Sequence, residues 1–143
     1  INNFIMKKIF IASDHAGYDL KQNLLNQFPK ILTNLGTNSD QSVDYPDFAH
    51  ILVNEVKSSS NNLGILICGS GVGMSIAANR DPSIRAGLVH NAEIAKLIRQ
   101  HNDANVLVLP GRFIDVQEAI KCVENFLNTE FESGRHKKRI DKI

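Results

Sequence analysis

Five short apolar runs, "KKIFIAS", "KILTNLG", "LGILICG", "IRAGLVH" and "ANVLVLPG", are separated by segments whose apolar residues recur at helical spacing. That alternation restricts the fold more than any other feature of the chain. Repeated βα units bury their strands on both faces, which makes the sheet parallel and puts helices on each side of it. The helical segments run from about 17 to 28, 46 to 57, 73 to 79, 91 to 101 and 115 to 128. The second has Pro46 in its first turn and Phe48, Ala49, Leu52, Val53 and Val56 on one face. The last has Asp115 near its start and Val116, Ala119, Ile120 and Val123 on a face. The expected fold is α/β: one three-layer, doubly wound, Rossmann-like domain over residues 1–143, with a five-stranded parallel sheet and a C-terminal arm. The segment 1–5, "INNFI", is read as an extension ahead of that pattern.

Bulk properties remove several function classes. A net charge of +1 with 22% charged residues gives no overall attraction to nucleic acid or a membrane surface. No apolar run approaches the roughly 18 residues of a membrane span. The only cysteines are Cys68 and Cys122, with no C-x-x-C pair and no signal-peptide pattern, which argues against a disulfide scaffold, a zinc site and secretion. A cytosolic protein with reduced thiols is expected.

Right-handed crossovers put the C-terminal ends of all parallel strands on one edge of the sheet, where such folds bind ligands. The groups arriving there are "SDHAG" (13–17), "CGSGVG" (68–73), "HNAE" (90–93) and "PGRF" (110–113). Asp14, His15, Cys68 and Ser70 thereby become candidates for one crevice.

Glycines at 69, 71 and 73 let the backbone approach a ligand closely, so amides from Gly69 through Val72 to Gly73 can converge on an anion at a helix N-terminus. The spacing matches neither G-x-x-x-x-G-K-[ST] nor G-x-G-x-x-G, which weakens a nucleotide site and leaves a phosphate cradle, an oxyanion hole or a tight turn. A thiol facing helix-terminal amides has its thiolate stabilised below the reference pKa of about 8.5, which would make Cys68 a base or nucleophile; the alternative is a buried thiol acting as a small hydrophobe. Cys122, mid-helix beside Val123, has the second reading.

His50 and His90 are read as structural. His101, in "IRQHNDANVL", closes a helix, where its cation would favour the dipole. Asp14 and His15 form a polar pair at the end of the first strand, although Asp14 could equally cap the following helix. In the tail "GRHKKRIDKI", Arg135 and Arg139 would point the same way if helical, a fork suited to a phosphate monoester; a solvated tail or a nucleic-acid contact are the other readings.

Taken together, "SDHAG", "DYPDFA", "GILICGSGVGMSIAANR", "RQHNDANVL" and "GRH", in that order over about residues 7–140, resemble the ribose-5-phosphate isomerase B family, which also contains the galactose-6-phosphate isomerase subunits. The resemblance implies a doubly wound aldose–ketose isomerase of the non-oxidative pentose phosphate pathway that uses no metal and no organic cofactor. It implies Cys68 as the base, the amides of Gly69 to Gly73 as the anion hole, and Ser70 as a hydroxyl assisting proton movement. It further implies His101 as the ring opener and Asn102 as a substrate contact, with Asp14, His15 and Tyr45 lining the pocket. Arg135 and Arg139 match the phosphate arginines, with Arg112 and His15 as helpers. One branch of the family uses a glutamate in the glycine loop; Met74 stands there in this chain, so the cysteine branch is implied. The expected partners are a small sugar phosphate and a second copy of the chain, in a homodimer or tetramer whose sites are shared between chains. Galactose 6-phosphate and allose 6-phosphate are the competing substrates, and a flavodoxin-like nucleotide-binding module is the non-enzyme alternative.

Overall fold

A computed structural model describes residues 7–143; the segment 1–5 lies outside the described residues. The apolar runs form strands β1 (Ile9–Ser13), β2 (Leu32–Asn34), β3 (Leu63–Cys68), β4 (Ala86–Leu88) and β5 (Val106–Pro110). The helical segments form α1 (Tyr18–Gln27), α2 (Tyr45–Val56), α3 (Val72–Asn79), α4 (Ala92–Asn102) and α5 (Val116–Asn128). A short helix α6 (Arg135–Ile140) ends the chain. All strand pairs are parallel, in the order β2-β1-β3-β5-β4.

The helix starts follow from capping chemistry. Asn91 Oδ1 accepts from the Ile94 amide at 2.9 Å, and Asp115 Oδ1 accepts from the Glu118 amide at 2.8 Å, each satisfying an amide that has no partner within its helix. Glu118 Oε2 in turn accepts from the Ala92 amide at 2.7 Å and ties the start of α4 to α5. The two faces of the sheet carry separate cores. Leu20 and Leu24 of α1, Ala95 and Ile98 of α4, and Ala119, Val123 and Phe126 of α5 pack on one face against Ile9, Ile11, Ile65, Ile67, Leu107 and Leu109. Ala49, Leu52, Val53 and Val56 of α2 and Met74 and Ala78 of α3 pack on the other against Phe10, Ala12, Leu66, Val106 and Val108. That alternation along each strand is the period of two expected of a sheet covered on both sides.

The layering positions a site. The chain leaves β1 into α1 on one face and leaves β3 into α3 on the other, so the C-terminal ends of these neighbouring strands open a crevice, as at the switch point of a doubly wound sheet. No helix among the described residues is long and apolar enough to cross a membrane.

Candidate active site

Three loops converge at the end of β3. The amide of Asp14 donates to Ile67 O at 3.2 Å, and the amide of Gly111 donates to Cys68 O at 2.8 Å. A Cβ on Gly111 would stand 3.2 Å from Ala16 O and 3.3 Å from Cys68 O, which measures how closely the three backbones meet. Cys68 is buried at their centre, 5% exposed. Arg112 folds back over the glycine loop, its Nη1 lying 3.3 Å from where a Gly69 Cβ would be.

The loop turns at Gly71, whose φ of +80° is the left-handed region that an L side chain enters only with strain. Ser70 Oγ accepts from the Val72 amide at 3.2 Å, so Val72 spends its N–H on the loop. The amides of Gly69, Ser70 and Gly71 make no hydrogen bond to another described residue. They are free donors beside the thiol at the start of α3. The Tyr45 ring, from the first turn of α2, packs against Gly73, where an added Cβ would lie 2.5 Å from Tyr45 Cζ. Asp14 caps the 3-10 turn 15–17 through Oδ1 to the Gly17 amide at 3.1 Å, and is buried while doing so. His15 Nδ1 accepts from the Val43 amide at 3.2 Å, which leaves Nε2 to carry the proton of the neutral ring. Asp14, His15, Tyr45, Cys68, the glycine loop and Arg112 therefore form one cluster.

His101, Asn102, Arg135 and Arg139 are not in it. α4 runs back against the strands, and Val106, four residues after Asn102, is in register with Gly64 at the start of β3. Cys68 lies four residues further along, about 13 Å at 3.3 Å per residue, and His101 sits at the opposite edge. The tail joins it there. It is docked rather than free: His136, 7% exposed, stacks on His101 with ring centroids 4.3 Å apart and an interplanar angle of 16°. Glu132 Oε1 lies 3.6 Å from His136 Nε2. Burial first, then the charges of His101 and Arg135, hold the His136 pKa below the usual imidazole value. Arg135 and Arg139, one turn apart on α6, are both exposed, and Arg135 lines a hollow of about 370 Å³ with Glu132, Ser133, Gly134 and His136.

The His101, Glu132 and His136 ligand atoms lie within 4.8 Å of one another. A metal ion sits in the plane of each imidazole that binds it, and two stacked, nearly parallel rings offer no common point, so the cluster is not arranged for one. His50 and His90 are exposed. Cys122 is fully buried, and burial followed by the charge of Glu118 pushes its thiol up to about 12, which makes it inert. Met74 is fully buried in the core under α3.

Two groups escape sequence reasoning. Lys21 is fully buried and donates to Asn34 Oδ1 and Gln22 Oε1, each at 3.0 Å, with no carboxylate among these partners. Its only signal is its place between Leu20 and Leu24 on the inward face of α1. His136 had none beyond its position beside the arginine pair.

The family described as Ribose/Galactose Isomerase matches residues 9–143. A probable ribose-5-phosphate isomerase B of Mycoplasma pneumoniae is 48% identical, over 94% of this chain and 91% of that one. Ribose-5-phosphate isomerase B of Escherichia coli is 38% identical, over 96% and 95%. The crystal structure of ribose-5-phosphate isomerase B from Mycoplasma genitalium with bound ribulose-5-phosphate is 46% identical, with a TM-score of 0.90 over 97% of this chain and 95% of that one. With the whole sheet and both residue clusters inside these matches, the chain belongs to the ribose/galactose isomerase family.

Proposed function

We propose that this enzyme interconverts ribose 5-phosphate and ribulose 5-phosphate, a step of the non-oxidative pentose phosphate pathway, in a homodimer whose two sites are each built from both chains. The observation that carries the reaction is the relative with ribulose-5-phosphate bound, matched over nearly its full length. The separation of the two clusters supports the shared site. A group acting on the ring oxygen and a base acting on C2 must both reach neighbouring atoms of one sugar, and a single chain holds His101 and Cys68 on opposite edges. Val72 and Ile76, one turn apart on α3 and 49% and 62% exposed, leave an apolar strip beside the Cys68 cluster for a partner to cover.

In this reading His101 moves the proton that opens the furanose, with Asn102 holding the sugar, while Arg135 and Arg139 of the same chain, helped by Arg112 and His15 of the other, hold the phosphate. The Cys68 thiolate removes the C2 proton of the open aldehyde. The electron pair of that C–H bond forms the C1–C2 double bond, and the carbonyl pair moves onto O1. The free amides of the glycine loop receive that oxyanion, donors fixed in place before the charge develops. Ser70 assists transfer of the O2 proton to O1, and the thiol returns its proton to C1, leaving the C2 ketone. Asp14, His15 and Tyr45 orient the sugar hydroxyls. No metal or organic cofactor takes part.

The test compares ribose 5-phosphate with allose 6-phosphate and galactose 6-phosphate in the presence of EDTA, and follows deuterium wash-in from heavy water. Ribose 5-phosphate should be preferred, and Cys68→Ala should lose turnover by at least about 10²-fold together with the wash-in. Near-normal turnover in Cys68→Ala removes the thiol from the mechanism, and preference for a six-carbon substrate overturns the assignment.

A further inference from the structure

The turn that follows His101 is held by more contacts than a helix end needs. Asp103, the C-cap of α4, has φ of +46°, a left-handed conformation that glycine would take at lower cost. Its carboxylate bridges two arginines. Arg99 Nη1 donates to Asp103 Oδ1 at 3.0 Å, and Arg85 Nη2 donates to Asp103 Oδ2 at 3.2 Å. Both arginines also bind the backbone of the turn. Arg85 Nε donates to Asn102 O at 3.0 Å and to Asp103 O at 3.1 Å, and its Nη2 reaches Asp103 O at 2.9 Å. Arg99 Nη1 donates to Ala104 O at 2.6 Å, and its Nε donates to Thr129 O at 3.2 Å. Arg99 is only 6% exposed and lies over the Phe126 ring, so it is an immobile base for the bridge. Arg85 precedes β4, so the bridge joins the end of α4 both to the sheet and to the segment after α5.

We infer that the Arg85–Asp103–Arg99 bridge is a positioning device for the ring-opening step: it fixes the backbone at Asn102 and Asp103 and thereby the placement of the His101 imidazole and the Asn102 amide. The inference rests on the ring-opening reading of His101. In this reading the three side chains act through the turn rather than on the sugar. What they supply is geometry, and a misplacement of about 1 Å at a reacting group can cost on the order of 10²-fold in rate. A carboxylate in a left-handed turn between two guanidinium groups explains why this position carries Asp instead of the glycine that the backbone alone would favour.

The decisive variant is Asp103→Gly, which relieves the left-handed backbone while removing the bridge, with Asp103→Asn as a second variant that keeps the size and one acceptor. Both are assayed on ribose 5-phosphate, which must be opened, and on erythrose 4-phosphate, which cannot close a furanose. Melting temperature and the environment of the His101 imidazole are followed in parallel, the latter through its ring nitrogen resonances. Asp103→Gly should lower kcat on ribose 5-phosphate by about 10- to 100-fold with KM changed less, retain activity on erythrose 4-phosphate within about threefold of wild type, melt near wild type, and split or broaden the His101 resonances. Asp103→Asn should fall between the two. Wild-type kcat on ribose 5-phosphate with unaltered His101 resonances overturns the inference, and so do equal losses on both substrates. His101→Asn, run alongside, separates the two ideas: if it loses both substrates equally, the ring-opening reading itself is wrong, whatever Asp103 does.

Discussion

Subunit mixing gives the shared site its sharpest test. Cys68→Ala removes the proposed base at one edge of the sheet, and Arg139→Ala removes a proposed phosphate arginine on α6, which docks on His101 at the other edge. Losing a charge-assisted hydrogen bond costs about 1.5 to 3 kcal/mol, so at substrate concentrations below KM the arginine variant should fall about 10- to 150-fold, and the cysteine variant by at least about 10²-fold. Each homodimer is then nearly inactive. When equal amounts exchange subunits at random, half of the dimers are mixed, and in every mixed dimer one site carries both lesions while the other carries neither. Activity should therefore recover to roughly a quarter of wild type. If each chain held its own complete site, every site in the mixed dimer would still carry one lesion and nothing would return. The assay is ribose 5-phosphate turnover before and after exchange, with the mixed dimer counted by native mass spectrometry. Exchange confirmed by mass without recovery would refute the shared site.

Two further outcomes are expected. Asn34→Asp gives the buried Lys21 ammonium the counter-charge it lacks while keeping the acceptor used by Lys21 Nζ and by the Gly36 amide at 2.9 Å; exchanging a neutral acceptor for a charged one should stabilise the fold by about 1 kcal/mol, or raise the melting temperature by about 2–4 °C. Burial lowers the Lys21 pKa from 10.5, so between its folded value and 10.5 the unfolded chain binds the extra proton and stability rises with pH; Asn34→Asp should flatten that alkaline slope in urea melts, and an unchanged slope would refute the account. Gly73→Ala places a methyl 2.5 Å from Tyr45 Cζ and should swing the half-exposed ring away, raising KM for ribose 5-phosphate several-fold with little change in melting temperature, because alanine favours the helix by up to about 1 kcal/mol; unchanged KM would remove Tyr45 from the pocket.

The fold was legible because its signals are local and agree with one another. Each apolar run supplies a strand and each 3.6-period segment supplies a helix within a residue or two of the expected ends, since Asn91, Asp115 and Pro46 mark helix starts chemically. Lys21 was not legible. A lysine between two leucines reads as the polar edge of an amphipathic helix, and only the tertiary placement of Asn34 and Gln22 around its ammonium allows it to be enclosed. The docking of the tail was hidden for a similar reason: the i, i+4 spacing of Arg135 and Arg139 describes the exposed face of α6, whereas the His136 contact that fixes the helix lies on the other face and pairs with a residue 35 positions earlier.

The site divides along the same line. Glycines, a thiol and an Asp-His pair at strand ends belong to one edge by topology alone, because parallel strands bring their C-terminal ends together, and the structure assembles them there. His101 closes a helix that returns between two parallel strands, and the direction of that helix puts its last turn on the opposite edge whatever the chemistry of the residue. The direction of α4 thus sets His101 and Cys68 at opposite edges of one chain, and this separation is why the proposed reaction calls on two copies. The consequence reaches the bridge at Asp103. In the proposed shared site His101 acts on a sugar that another copy also holds, so the turn bearing it gains from being held rigid from behind, as the Arg85 and Arg99 contacts hold it.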